Sequence, residues 1–224
     1  MRVLPLLALF LLGLGHGPLA AAETYALLFR STALKGLEAG PGSSEAAQGT
    51  LVYDRVITGA DEGQANGSFS IALKIKPDDN VALTLHHGAR SRGLGSYPAS
   101  VGNPLIMYFL ENVLADVAFQ SGGSPFYMRN RIKEALLRDA EIVPVTLRYR
   151  NRDIAAQEVT IRPFTTDKAR ERMGRFSQLA LAVTVSEEIP GWYYSLIATV
   201  PAAAGAEAGY SNVITLKAAG EGRP

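Results

Sequence analysis

Several short stretches of this chain alternate between apolar and polar residues with a period of two. Residues 69–75 show the pattern most clearly, and residues 81–85 and 143–149 repeat it. Such alternation is typical of strands with one buried face. Together with short apolar runs, it predicts strands over 25–29, 50–57, 69–75, 81–85, 143–149, 159–161, 179–185, 193–200 and 212–217.

The middle of the chain follows a helical period instead. Asn103 and Pro104 are typical of a helix start, and apolar residues then recur every three or four positions as far as Val117. Gly122-Gly123 ends this helix, and Ser124-Pro125 starts a second one. The pattern therefore predicts a two-helix hairpin over residues 103–140.

The remaining segments are predicted from turn-forming residues. Residues 34–49 and 88–103 are rich in glycine and small polar residues, so both are predicted to be loops. Residues 166–173 are predicted to form a short helix that ends at Gly174. The resulting fold class is mainly β (α+β), with β-sandwich-like sheets and an inserted two-helix hairpin.

The first 22 residues read as an export signal. Met1-Arg2 is a basic start, Val3–Leu14 is apolar, and Ala20–Ala22 fits a cleavage site before Glu23. The apolar run is too short to span a membrane. The sequence therefore predicts an exported protein, periplasmic or alternatively extracellular, with no transmembrane segment in the mature chain.

The predicted domain division follows from these patterns. Residues 1–22 form the signal peptide, and residues 23–102 form an N-terminal β region with a long loop. The helical hairpin covers 103–140, and a sandwich-like β region covers 141–224. Because no low-complexity linker separates the last three parts, residues 23–224 are expected to form one compact body.

Composition removes several classes of function. The chain has no cysteine, which excludes disulfides, a lipid-anchored cysteine and thiolate-bound haem or iron–sulfur clusters. Removing Arg2 with the leader leaves 21 basic residues against 21 acidic ones. A near-neutral chain without a basic stripe argues against nucleic-acid binding. No cofactor is predicted.

The segment Ile189–Val200 (IPGWYYSLIATV), followed by a short final strand, resembles the closing strands of bacterial immunoglobulin-like modules. The shared features are a Pro-Gly turn and an aromatic-rich strand, over about 50 residues. The cysteine pair and matching core tryptophan of antibody domains are absent. The resemblance implies a β-sandwich fold only, because such modules share no activity.

The second helix of the hairpin carries the main candidate binding residues. Arg129 and Lys133 lie one turn apart on one edge, where like charges repel, so a bound anion would relieve the repulsion. Arg131 lies between them in sequence. Glu134 and Arg138 can form an ion pair on the same helix, which favours the interpretation of an ordinary solvated face over anion binding.

Two further candidates lie outside the hairpin. His86 and His87 are neighbours on a predicted strand, so they point to opposite faces and cannot chelate one ion; no metal site is predicted. Tyr97 belongs to the segment 90–98, whose Gly-x-Gly lacks the third glycine of a phosphate-binding fingerprint. Three arginines are also expected on the polar face of the hairpin 143–162, namely Arg148, Arg150 and Arg162.

No sequence motif fixes a chemistry, so the favoured interpretation is a non-enzymatic binding or assembly-accessory protein of the cell envelope. Its partner would be an envelope protein or a small anionic ligand, and a subunit of an envelope complex is a related possibility. The alternative is a hydrolase with a site between residues 88–103 and the helical hairpin. Its candidate groups are His86 or His87, Glu111 or Asp116, and Arg129 or Arg131.

Overall fold

The computed structural model describes residues 18–37, 49–60, 66–138, 140–202 and 209–217. Within these ranges the chain forms nine strands and three α-helices. The strands are β1 (Thr50–Thr58), β2 (Gly67–Ile75), β3 (Asn80–His87), β4 (Arg90–Pro98), β5 (Glu141–Tyr149), β6 (Arg152–Ile161), β7 (Ala180–Val185), β8 (Tyr193–Val200) and β9 (Tyr210–Leu216). The helices are α1 (Pro18–Leu28), α2 (Leu105–Ser121) and α3 (Pro125–Arg138). Short 3-10 segments cover Ala99–Val101 and Arg170–Gln178.

All nine strands belong to one antiparallel sheet, in the order β4-β3-β2-β1-β9-β8-β7-β6-β5. Along β1, Leu51, Tyr53 and Ile57 are buried, while Asp54 and Val56 between them are exposed. The helices cover the buried face, and α2 contributes the apolar stripe predicted from its 3.6-residue period. This one-sided burial confirms the predicted class, mainly β with helices.

The sheet is strongly curved. Tyr53 lies on β1 and Tyr149 ends β5, five strand positions apart, which is about 24 Å in a flat sheet. In the folded chain, a Cβ added at Gly191 would lie 3.1 Å from the Tyr53 hydroxyl, and Gly191 and Tyr149 line the same recess. The edge strand β5 therefore curls towards the middle of the sheet.

The arrangement of strands differs from the predicted sandwich. β1 pairs antiparallel with β9, so that Tyr53 lies opposite Leu216 and Val56 opposite Val213. This pairing adds the N-terminal strands to the edge of the C-terminal ones, whereas a sandwich would stack two sheets face to face. The immunoglobulin-like resemblance of Ile189–Val200 is therefore not shown; the segment is a Pro-Gly turn followed by β8 within the single sheet.

The predicted strand over 25–29 is wrong, because this segment belongs to α1. Alanines around it favour helix, and the Tyr25 and Phe29 rings, one turn apart, lie 4.7 Å between centroids. Leu28 is buried in the core. Residues 1–17 of the predicted signal peptide lie outside the described residues, and cleavage before Glu23 stays a prediction, as do the domain boundaries.

The predicted loop over 88–103 is also wrong. Most of it is β4, followed by the 3-10 turn Ala99–Val101. Its residues are mostly exposed because β4 is an edge strand, so it carries no apolar alternation. A register shift between Leu83 and Thr84 of β3 accommodates its glycine-rich middle.

Two further predictions concern the short helix over 166–173 and the loop over 34–49. The helix predicted over 166–173 begins later, at Arg170, and the non-helical backbone of Gly174 (φ 53°) separates it from a second short turn that ends at Gln178. Of the predicted loop over 34–49, residues 38–48 lie outside the described residues. The strand predicted over 159–161 is longer than expected, because β6 begins seven residues earlier, at Arg152. The remaining predicted strands and both helices of the hairpin are confirmed within a few residues of their ends.

Candidate functional site

A recess of about 600 Å³ opens where the tip of the β5–β6 hairpin meets the turn 187–192 and the segment 30–37. We call it the basic recess, because four cationic side chains line it and only two carboxylates do. These side chains are Arg30, Lys35, Arg150, Arg152, Glu187 and Glu188. Positive charge is therefore concentrated here, in a chain whose formal net charge is only +1.

Two of the four cations are paired with the glutamates of the recess. Arg30 donates to both carboxylate oxygens of Glu187, over 2.5 and 3.1 Å. Arg152 lies 3.7 Å from a carboxylate oxygen of Glu188. Both glutamate side chains are well exposed, at 74% and 46%, so they can move away from their partners.

The other two cations have no carboxylate partner among the described residues. Lys35 follows α1, and Arg150 sits at the tip of the β5–β6 hairpin with Asn151. Both tip residues have positive φ, 47° and 61°, as in a tight two-residue hairpin turn. Arg150 lies over the Tyr149 ring, 5.3 Å from its centroid. The recess therefore holds two cations whose charge no described carboxylate neutralises.

Arg30 is held in a fixed position at the wall of the recess. Its guanidinium stacks on the Trp192 ring, 4.2 Å from the centroid, and its Nε donates to the Thr32 hydroxyl over 3.0 Å. Trp192 is itself anchored, since its indole N–H donates to the Leu27 carbonyl over 2.7 Å. Three of the five guanidinium N–H groups are used in these contacts, which leaves donors available.

A second, smaller cavity of about 240 Å³ shares Arg30 as a wall. We call it the apolar pocket, because its other walls are mainly hydrocarbon and aromatic. They include Phe29, Tyr97, Val101, Pro104, Ile106 and Met107. Val101 and Met107 are about half exposed, at 58% and 48%. The two cavities thus lie side by side, one cationic and one apolar.

A short hydrogen-bond chain fixes the two cavities relative to each other. The Asn103 amide, in the wall of the apolar pocket, donates to the carbonyl of Gly191 in the basic recess over 2.8 Å. It also donates to the Tyr53 hydroxyl over 3.2 Å, and its oxygen accepts from the Leu105 N–H over 3.0 Å at the start of α2. Asn103 is therefore buried and fully bonded.

Gly102 allows the 3-10 turn to approach α1 closely. Its φ is +87°, and a Cβ at this position would overlap the carbonyl oxygen of Arg30. Only glycine fits such a conformation and contact without strain. The backbone that carries Arg30 is therefore positioned by a close approach that no local sequence pattern reveals.

The tyrosines near the site stay neutral. Burial raises the pKa of Tyr53 and of Tyr193 well above the ordinary value. The Tyr193 hydroxyl donates to the Leu28 carbonyl over 2.5 Å, at the C-terminal end of α1. The Tyr193 phenol therefore serves as a fixed donor that ties α1 to the sheet, whereas the Tyr53 hydroxyl accepts from Asn103.

A separate polar network is buried between α2 and the sheet. Arg55 on β1 is 5% exposed, and its guanidinium donates to Asn212 over 3.1 Å and to the Tyr108 hydroxyl over 2.7 Å. It also reaches the Asn112 oxygen over 3.5 Å. A buried guanidinium with several acceptors is satisfied, so the network attaches α2 to the sheet.

Asp116 completes this network from the next turn of α2. Its carboxylate accepts the Tyr210 hydroxyl over 2.6 Å. Burial raises the pKa of Asp116, although the bond from Tyr210 and the charge of Arg55 act in the opposite direction. The carboxyl is therefore easier to protonate in the folded protein than in the unfolded chain.

An ion pair with α2, instead of a bound anion, offsets the predicted repulsion between Arg129 and Lys133 on α3. Arg129 pairs with Glu111 of α2 through two hydrogen bonds of 2.8 and 3.1 Å. Glu134 bonds to Arg131 over 2.9 Å, where the sequence had favoured a pair with Arg138. Lys133 is exposed on the same helix. These residues do not converge on either cavity, and their role as ligand contacts stays a prediction.

The other candidates lie apart from one another. His86 is half-buried on β3 opposite Ser91, whereas His87 packs on the Phe69 ring at 4.7 Å. Among the described residues neither histidine bonds to a carboxylate, so the pair that the hydrolase alternative requires is not formed. Of Tyr97 and the two histidines, only Tyr97 lines a cavity, the apolar pocket. No three metal-ligating side chains converge within the described ranges.

Most residues of the basic recess were not predicted from the sequence to be binding residues. Only Arg150 belonged to a predicted polar hairpin face, and Arg30 and Lys35 carried no motif. The recess joins three segments, 30–37, 149–152 and 187–192, which lie 112 and 35 residues apart along the chain. A single sequence shows no signal that brings these segments together.

Comparisons with known proteins give distant matches only. No protein-family model and no curated protein matches the chain. Among solved structures, the chain is similar to the lipoprotein LppX of Mycobacterium tuberculosis, with 10% identity, 89% of this chain and 94% of that one covered, and a TM-score of 0.34. A β-barrel-like protein of a domain of unknown function from Brucella abortus matches with 10% identity, 75% and 95% coverage and a TM-score of 0.17.

Both scores are below 0.5, so nothing is concluded from these neighbours. Within the described part of the chain, no helix combines the length and the apolar character needed to cross a membrane.

Proposed function

We propose that this chain is a non-enzymatic binding protein of the cell envelope that holds a small anionic ligand in the basic recess. The observation that carries the proposal is the group of four cations around one cavity, two of which, Lys35 and Arg150, lack a carboxylate partner among the described residues. Grouped cations repel one another, and a bound anion offsets that repulsion.

The recess suits a carboxylate or phosphate group. A guanidinium presents parallel N–H donors that match the two oxygens of such a group, and three arginines face the cavity. An incoming anion would take the place of Glu187 or Glu188. Because those ion pairs are exposed, displacing them costs little free energy.

The envelope location rests on the N-terminal sequence. Met1-Arg2, the apolar run and Ala20–Ala22 support export, and the absence of cysteine is compatible with an oxidising compartment without requiring one. We place the protein in the periplasm, with secretion to the medium as the alternative.

Charge reversal in the recess tests the proposal. We expect the double variant Lys35→Glu/Arg150→Glu to bind phosphate, sulfate or succinate at least about tenfold more weakly than the wild type in calorimetric titration. The reason is that each charge-assisted contact contributes roughly 1.5–3 kcal/mol, and about 1.4 kcal/mol corresponds to a factor of ten.

Arg162→Glu is the matched control. Arg162 ends the same hairpin at its other end, beside Glu141, about 30 Å along β5 from the tip. At that distance its charge is screened from the recess at ordinary salt. If this control weakens binding as much as the double variant, or if the wild type binds none of the three anions, the proposal is wrong.

A further inference from the structure

We infer that the ligand is amphipathic, with its acidic group in the basic recess and a short apolar group in the adjoining apolar pocket. The inference rests on the proposed function, and it names the chemical class of the ligand. Its basis is the shared wall: Arg30 lines both cavities, and no other residue of either lining does.

The walls of the apolar pocket select for hydrocarbon. The N–H and O–H donors of its buried polar groups, Asn103 and Tyr193, already bond within the protein, so they are not free to bind a polar ligand. Val101 and Met107 stay about half exposed at its rim. An apolar group seated here would remove both side chains from water, which favours binding.

Arg30 provides the connection between the two parts of the ligand. Arg30 lines the apolar pocket next to Phe29, while its guanidinium lies on Trp192, which lines the basic recess. Long basic side chains commonly bury their stem against apolar groups and keep the charged end in a polar setting. A carboxylate on the guanidinium therefore places its own chain next to the apolar pocket.

The distance between the two cavities is fixed before a ligand binds. The bond from Asn103 to Gly191 and the consecutive residues Trp192 and Tyr193 connect the two walls. A rigid spacing lets one ligand occupy both cavities without a further ordering cost. The size of the apolar pocket, about 240 Å³, suits a short chain or a single ring rather than a long lipid tail.

A series of straight-chain carboxylates tests this inference. Acetate, butanoate, hexanoate, octanoate and decanoate are titrated below their aggregation concentrations into the purified protein. We expect affinity to rise about fourfold per added methylene and then to level off once the pocket is full. Octanol, which has the chain without the charge, should bind at least tenfold more weakly than octanoate.

The variant Met107→Glu should flatten this dependence on chain length, because it places a charge at the rim of the apolar pocket. Leu137→Glu is the matched control, since Leu137 is 42% exposed on α3 and lines neither cavity. The quantity compared is the slope of the logarithm of affinity against the chain length of the carboxylate. A uniform loss of anion affinity does not change this slope. Thermal melts show whether each variant is folded.

The outcomes separate the two proposals. Equal binding of acetate and octanoate would overturn the inference and leave the proposed function standing. Equal binding of octanol and octanoate would also overturn it, since the charged group would then play no part. A chain-length slope that survives in Met107→Glu would place the apolar group elsewhere. Absence of binding by every anion tested, including phosphate, would overturn the proposed function itself.

Discussion

Gly102 shows how a single residue positions the site. It brings the turn before α2 against the carbonyl of Arg30, and Arg30 in turn forms the wall between the two cavities. A side chain at this position would need both a strained backbone and space that the Arg30 backbone occupies. The arrangement of the cavities therefore depends on a residue that contributes no chemical group to them.

Substituting this glycine should have a large effect. We expect Gly102→Ala to lower the free energy of unfolding by more than about 2 kcal/mol, since backbone strain and steric overlap add. Gly36→Ala is the control, because Gly36 has a similar φ of +85° but, within the described part of the chain, no atom within 4 Å of an added Cβ. Its cost should stay near 1 kcal/mol.

Denaturant titrations of the two variants measure this difference. Equal losses in Gly102→Ala and Gly36→Ala would mean that the contact with Arg30 adds nothing to the cost of the backbone conformation.

At the scale of elements, α2 is attached to the sheet by polar as well as apolar contacts. The network around Arg55 and Asp116 lies between α2 and the strands β1 and β9. Because burial raises the pKa of Asp116, its protonated form fits the folded state better. The stability that Asp116 contributes is therefore fully present below the ordinary carboxyl pKa of 3.8 and is lost as the pH rises through the raised value.

Asp116→Asn should remove this pH dependence, since the amide oxygen still accepts from Tyr210 but cannot ionise. We expect the wild type to become more stable relative to the variant as the pH falls from 7 towards 4. Chemical denaturation across that range measures the trend, and a difference that does not change with pH would contradict it.

Asp78→Asn is the control, because the pKa of Asp78 is shifted in the opposite direction from that of Asp116. Hydrogen bonds from Asn80 lower the pKa of Asp78, so its contribution is present above 3.8 and is lost only as the pH falls further, through the lowered value. Between pH 7 and 4 the wild type and this variant should therefore keep a constant difference.

The sequence predicts those elements that have one buried face. Strands such as β2 and β3 and the helix α2 carry an apolar period because each must bury one side. β4 has no such period, since as an edge strand it is mostly exposed and depends on pairing with β3. The apolar run 25–29 has the composition of a strand, but alanines and packing in the core make it part of α1.

At the scale of the whole molecule, the single sheet creates the site. Pairing of β1 with β9 joins both β regions, and the curvature carries the tip of the β5–β6 hairpin towards the middle of the sheet. There the hairpin tip meets the segment after α1 and the turn before β8. Of the candidates taken from the sequence, only Tyr97 and Arg150 line these cavities. The rest of the site depends on long-range pairing, which local patterns do not encode.

Trp192 offers a direct probe of the basic recess, because it is the only tryptophan in the chain and lies in the wall of the cavity against Arg30. An anion that binds Arg30 must disturb this stacking and change the emission of the indole. The measurement is a titration of phosphate and of succinate, followed by tryptophan fluorescence, with sodium chloride at matched ionic strength as the reference.

We predict a saturable change in Trp192 emission with phosphate or succinate that chloride does not reproduce and that the Lys35→Glu/Arg150→Glu variant loses. An emission that stays constant with both anions, or that changes equally with chloride, would contradict the assignment of this recess as the binding site.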